Sequence, residues 1–165
     1  MNFSQFIYIE KLPGNGLKVL LENVLGISMK DSNSPGWKFY SDQKDMGVSV
    51  EDGHFARAHF VVDACINGIN SNIRIIVNSP GKYLVKSDVA AVKCVNAILN
   101  AYDTDLVFMA DDDTPRLIRC RGKVMIHRSG KTSDANFWNR PSINLSELLT
   151  VPYSTSEFTI VKNRE

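Results

Sequence analysis

The chain has 165 residues with 19 Lys+Arg against 18 Asp+Glu, a formal net charge of +1. Its 44% hydrophobic and 22% charged residues and mean hydropathy of −0.14 are those of a soluble globular domain, which excludes disorder, collagen, coiled coil and a membrane span. The length suits one domain over 1–165 that buries roughly 70% of its unfolded surface without needing a staple, and the near-neutral charge argues against nucleic acid or membrane as partner.

Residues 6–12 (FIYIEKL) read as a first strand, broken by Pro13-Gly14-Asn15-Gly16. Leu17, Leu20, Leu21, Val24 and Leu25 recur at helical spacing, and Gly26 stops that helix. Residues 30–36 are loop, Trp37–Tyr40 a short aromatic stretch and 46–51 a short strand. Along 57–66 every even position is apolar, which predicts one strand. A loop around Gly68–Ser71 follows, then a partner strand with Ile73, Ile75 and Val77 on one face. Ser87 is the expected N-cap of a helix over 88–101. Leu106–Ala110 is a strand, Asp111–Pro115 a turn and Arg116–Arg128 a further β segment, with Gly122 at a bulge or tight hairpin. In that segment Ile118, Cys120, Val124 and Ile126 share one parity, and Arg119, Arg121, Lys123 and His127 the other. Residues 129–142 form a loop around Phe137-Trp138. Asn144–Glu147 resembles a capping box that opens a helical turn halted by Pro152, and 157–162 close the chain as a strand. The expected fold is α+β, a twisted and mostly antiparallel sheet of about six to eight strands with two main helices on one face.

Cys65, Cys94 and Cys120 are odd in number and lie in apolar stretches, so they are expected as buried structural thiols. The N-terminus lacks a basic region before its apolar run, so no signal peptide is expected and the cytoplasm is the default location.

The acidic run Asp111-Asp112-Asp113 admits three readings: a turn, a partner contact or a metal site. Its place between two strands and before Thr-Pro favours the turn. Charge is segregated around it, with five acids and no base over 103–113 and six bases and no acid over 116–131. Arg119, Arg121 and Lys123 can be a solvated strand face, a protein contact or a phosphate-tracking row. The lack of interleaved aromatics weakens the last. His59 and Asp63 share a strand parity but stand roughly 13 Å apart, too far for a direct hydrogen bond. With no nucleophile, metal or phosphate-loop motif, no catalysis, cofactor or metal is expected.

The stretch DTDLVFMADDDTPRLIRCRGKVMIHR, followed by Phe137-Trp138 and taken with the N-terminal strand and leucine helix, resembles small immunity proteins of bacterial polymorphic toxin systems. The types in question are those of contact-dependent growth inhibition and Sit (swarming inhibition). The resemblance implies a cytoplasmic, non-enzymatic protein that binds the C-terminal domain of one cognate toxin and blocks its active site or cofactor access. Immunity proteins against nucleases are often markedly acidic, and this chain is not. Acid concentrated at Asp42/Asp45, Glu51/Asp52 and Asp111–Asp113 is then the candidate contact, with Arg119, Arg121 and Lys123 beside it. The alternative is an RNA-associated or regulatory domain that uses that basic strand face.

Overall fold

The computed structural model describes residues 2–11, 16–43, 45–110, 114–128 and 137–164. Its elements run β1 (Asn2–Ile9), α1 (Gly16–Leu25), β2 (Lys30–Asp31), β3 (Trp37–Asp42), β4 (Gly47–Glu51), β5 (Ala58–Val62), β6 (Cys65–Ser71), β7 (Ile73–Pro80) and α2 (Leu84–Ala101). After these come β8 (Leu106–Ala110), β9 (Pro115–Cys120), β10 (Lys123–His127), α3 (Leu145–Leu148), β11 (Ser154–Ser156) and β12 (Ile160–Arg164).

β1 lies inside a nine-stranded sheet of order β11-β10-β9-β8-β1-β7-β4-β3-β2, paired antiparallel with both β7 and β8. Its side chains alternate between two cores. Ile7 and Ile9 join Leu106 and Phe108 of β8, Ile75 and Val77 of β7 and the apolar stripes of α1 and α2. Tyr8 points the other way, to Val107, Met109 and Ile118 and to Phe60, Val62 and Ile69 of a second sheet, order β12-β5-β6. The Tyr8 and Phe60 rings meet edge to face at 4.8 Å. Helices, large sheet and small sheet thus form three layers, with the helices on one face. The fold is α+β and mostly antiparallel; β10 with β11 is a parallel pair.

The strand count exceeds the expected six to eight because the 57–66 segment is two strands. Asp63-Ala64 turn the chain, Asp63 Oδ1 accepts the Thr159 N–H at 3.0 Å, and β6 runs through the stretch expected as a loop. Gly68 permits that path. Its φ is +67°, and a Cβ there would stand 2.3 Å from the Phe60 carbonyl oxygen, which no other residue tolerates. β7 then pairs with β1 and β4 in the large sheet rather than with the strand before it. The first strand also begins earlier than expected, at Asn2, and ends at Ile9.

The α1 helix matches its expected span, and Gly26 closes it with an N–H bond to the Glu22 carbonyl at 2.9 Å. The α2 helix starts at Leu84, not Asp88. Ser87 lies in its first turn, fully buried, where its hydroxyl donates to the Leu84 carbonyl at 3.0 Å instead of capping. At the far end Arg119 acts as the cap, donating Nη1 to the Tyr102 carbonyl at 2.7 Å and Nη2 to that of Leu99 at 3.0 Å.

The β9–β10 connection is a two-residue hairpin at Arg121 (φ +48°) and Gly122 (φ +82°), which is type I′ chemistry. Its register sets Cys120 opposite Lys123 and Arg119 opposite Val124. The hairpin is thus the one of the two expected readings of Gly122 that holds, and side-chain parity flips across it, contrary to the expectation that Ile118, Cys120, Val124 and Ile126 share one face. Ile118 and Cys120 face the small sheet, whereas Val124 and Ile126 face the helices.

Cys65 and Cys120 form a disulfide, with Cα atoms 6.0 Å apart and a sequence separation of 55, which corrects the expectation of three free thiols. The pairing arises because β6 packs over β9, a juxtaposition that the wide sequence spacing hides. Cys94 is free and fully buried in α2, and burial pushes its thiol up to about 12. Among the described residues no helix is long and apolar enough to cross a membrane.

Two outcomes are expected at pH 8. Thiol titration without reductant should find no reactive thiol in the native chain, one after denaturation and three after denaturation with reduction. A native count of two would show the pair unbonded. The Cys65→Ala/Cys120→Ala variant should lose about 2–4 kcal/mol in urea unfolding, because the bond closes a long loop between two layers.

Candidate partner-binding site

The small sheet covers the outer face of the large sheet over β1, β8 and β9 and stops there. Over β3, β4 and β7 that face is open. Cross-strand ladders set Trp37–Glu51–Arg74 and Tyr40–Ser49–Ile76 side by side. Trp37 is 41% exposed and Tyr40 38%. Asp31, Asn78 and Ser49 join both aromatics around a shallow cleft of about 490 Å³ on this face. Phe55, 58% exposed, continues the surface beyond Trp37, and the two line a second hollow with His54. Aromatic side chains standing among small polar groups make the kind of surface that anchors protein partners, since each ring offers large area at low entropic cost.

Glu51 lies beneath this surface. Its Oε2 takes Nε and Nη2 of Arg74 at 3.0 and 2.6 Å, and both side chains are nearly buried. The Arg74 guanidinium also lies over the Phe6 and Phe55 rings at 5.3 and 5.8 Å, which ties the exposed Phe55 to the sheet.

Asp45 and Asp52 are also engaged. Asp52 pairs with Lys38 at 3.6 Å, as Asp31 does with Lys18 at 3.2 Å, both at the surface, where such pairs are worth about 0–1 kcal/mol. Asp45 accepts a hydrogen bond from Lys86 of α2, which holds its carboxyl below the usual carboxylate range. Asp42 ends β3, where it pairs with Gly47 of β4. Asp111, Asp112 and Asp113 lie outside the described residues; on either side of them the Ala110 N–H bonds the Thr114 carbonyl at 3.0 Å. Arg119 is turned inward to α2. Arg121 occupies the hairpin, its N–H bonded to Asp105 Oδ1 at 2.8 Å and its Nη1 3.1 Å from both sulfurs of the disulfide. Lys123 is exposed at the start of β10. The three do not form a continuous basic row.

A second polar cluster, not anticipated from the sequence, lies at the start of β9. Gln5 of β1, 2% exposed, donates Nε2 to Asp88 Oδ1 at 3.0 Å, and its Oε1 accepts from Nη1 of Arg116. Asp88, 1% exposed, takes Arg140 Nη1 on its other oxygen. Both guanidinium groups stack on Phe137, Arg116 at 3.9 Å and Arg140 at 5.2 Å, and Trp138 Nε1 donates to the Arg116 carbonyl at 2.8 Å. This clasp ties the start of β9 to α2 and to the Phe137–Arg140 stretch. Trp138, 2% exposed, is therefore core, whereas Trp37 is surface. The sequence signal was available in part: Gln5 and Arg116 are polar residues in apolar strands, but their partners lie more than eighty positions away.

The three histidines lie apart from one another in the fold. His59 Nδ1 meets Asn70 Oδ1 at 2.7 Å, His127 packs against the Phe158 ring at 5.1 Å and His54 against Phe55 at 5.7 Å. Among the described residues no group of three or more His, Cys, Asp or Glu side chains could hold a metal ion. No family model matches the sequence, and no curated protein and no solved structure matches it.

The clasp yields a direct test. Asp88→Ala should cost about 3 kcal/mol in chemical unfolding, since it strips partners from a buried amide and from a guanidinium. Asp88→Asn, which keeps the oxygen facing Gln5, should cost less; equal losses would remove the Gln5 bond from this account.

Proposed function

We propose that this chain is a non-catalytic binding protein that neutralises the C-terminal domain of a cognate bacterial toxin, as its resemblance to polymorphic-toxin immunity proteins implies. The observation that supports the reading best is the open outer face of β3, β4 and β7, with Trp37 and Tyr40 exposed on a rigid sheet beside polar groups able to bond a partner. Interfaces concentrate their energy in such aromatic anchors, and a sheet presents them without an ordering cost. The ion pairs at Glu51, Asp52 and Asp31 leave this face without a strong local charge. That agrees with a net charge of +1 and favours a toxin recognised by shape and aromatic contact over one recognised by its basic surface. On this reading Asp111–Asp113 add the charged part of the interface.

The same reading places the protein in the cytoplasm, where thiols are kept reduced, so Cys65 and Cys120 would stand there as a dithiol and close to the disulfide on exposure to oxidant. The alternative, an RNA-associated domain reading phosphates with Arg119, Arg121 and Lys123, draws less support. Arg119 and Arg121 already serve backbone carbonyls, Asp105 and the sulfurs.

The reading expects the gene of a large secreted toxin directly upstream, and the test is co-expression with the C-terminal domain of that protein. A 1:1 complex that restores growth is expected. Trp37→Ala/Tyr40→Ala should weaken binding at least tenfold with an unchanged melting temperature, and Lys at all of 111–113 should slow association. Val61→Ala/Val161→Ala, on the far side of the small sheet, should leave affinity intact. Absence of a complex, or salt-sensitive binding of RNA in its place, would overturn the proposal.

A further inference from the structure

On the opposite side of the large sheet, α1 and α2 diverge around a cleft of about 490 Å³. Its floor is apolar: Val24 and Leu25 from the end of α1, Val85, Val89 and Ala90 from α2, and Met46 from the β3–β4 connection. Val85 stands 63% exposed there. Among the described residues the charged ones that line the cleft are Lys82, Lys86 and Lys93, with Asp45 paired to Lys86 at its rim.

The spacing of these lysines narrows the occupant. Lys86 and Lys93 are about two helical turns apart on α2 and Lys82 lies two residues before that helix begins, so the three follow one flank of the cleft. A single-headed amphiphile needs a cation at one end of an apolar slot. Cations spread along the whole length match a ligand whose negative charges are themselves spread at helical intervals beside an apolar stripe. Lys86 already shows that the rim accepts carboxylates, since Asp45 sits on it. Lys82 and Lys93 are exposed at either end of the row.

We infer that the α1–α2 cleft receives an acidic amphipathic helix from a protein partner, with the apolar stripe of that helix laid on Val85, Val89 and Leu25 and its Asp or Glu side chains paired with Lys82 and Lys93. The surface is distinct from the Trp37/Tyr40 face, and the inference stands whether or not a toxin binds there.

A phage-displayed library of helix-forming peptides, with the positions flanking a fixed apolar stripe randomised, tests this on the intact protein. The selected peptides should carry Asp or Glu at those flanks, become helical on binding and weaken steeply with added salt. The Lys82→Glu/Lys93→Glu variant leaves the Lys86–Asp45 pair in place. It should bind a selected peptide at least tenfold more weakly by fluorescence anisotropy, with an unchanged circular dichroism spectrum and melting temperature; Lys82→Ala/Lys93→Ala should show a smaller loss in the same direction, and Val85→Asp should also weaken binding. Failure to enrich any peptide, enrichment of basic or uncharged flanks, or equal affinity for the double variants would overturn the inference. Saturable binding of oleate with no peptide selected would overturn it too, giving the cleft to an anionic lipid.

Discussion

Everything in this fold depends on β1 being buried on both of its faces. A strand paired on both edges has its backbone groups satisfied within the sheet, so its side chains are free to serve two cores at once. Ile7 and Ile9 anchor the helix side and Tyr8 the small sheet, and each such burial is worth about 2 kcal/mol. With β1 in place, β7 and β8 must flank it, β4 and β9 must follow, and the helices must cover the side where the isoleucines emerge. The small sheet is then confined to the tyrosine side, where the Cys65–Cys120 bond fastens it to β9. Because that sheet is only three strands wide, it leaves the outer face over β3, β4 and β7 open.

Charge in this molecule is largely spent on holding the architecture. Arg74 and Glu51 lock the base of the open face, Arg119 ends α2, and Arg116, Gln5, Asp88 and Arg140 join strand, helix and the Phe137-Trp138 turn into one clasp. Buried pairs of this kind set geometry more than they add net stability, because desolvation offsets much of their attraction. What remains at the surface is aromatic and apolar: Trp37 and Tyr40 on one side, and the valine-floored cleft with its lysine rim on the other. The protein therefore presents two rigid surfaces of different character, one polar-aromatic and one basic-apolar.

Legibility from the sequence varied with the range of the interaction. The α1 helix and its glycine stop were readable because leucine spacing and a C-terminal glycine are local signals. Trp37 could not be told from Trp138 because both sit in short aromatic motifs; burial under α2 decides one and the missing cover over β3 decides the other. Parity reasoning failed across 116–128 because a two-residue turn reverses the sense of alternation, and Gly122 alone did not distinguish that turn from a bulge. It also failed at 57–66, where apolar even positions persisted through the Asp63-Ala64 turn. Asp45, Glu51 and Asp52 looked like free charge because their cations, Lys86, Arg74 and Lys38, are dispersed along the chain.

The sequence by itself determined the composition class, the α+β alternation of elements and most strand cores, since these follow from periodicity over a few residues. The tertiary structure alone decided which strands share a sheet, which cysteines bond, which acids are already paired and which aromatics stay exposed. Those outcomes depend on contacts between residues as much as 154 positions apart, the separation of Tyr8 and Lys162. Local patterning carries no record of distances that exist only after three layers have packed.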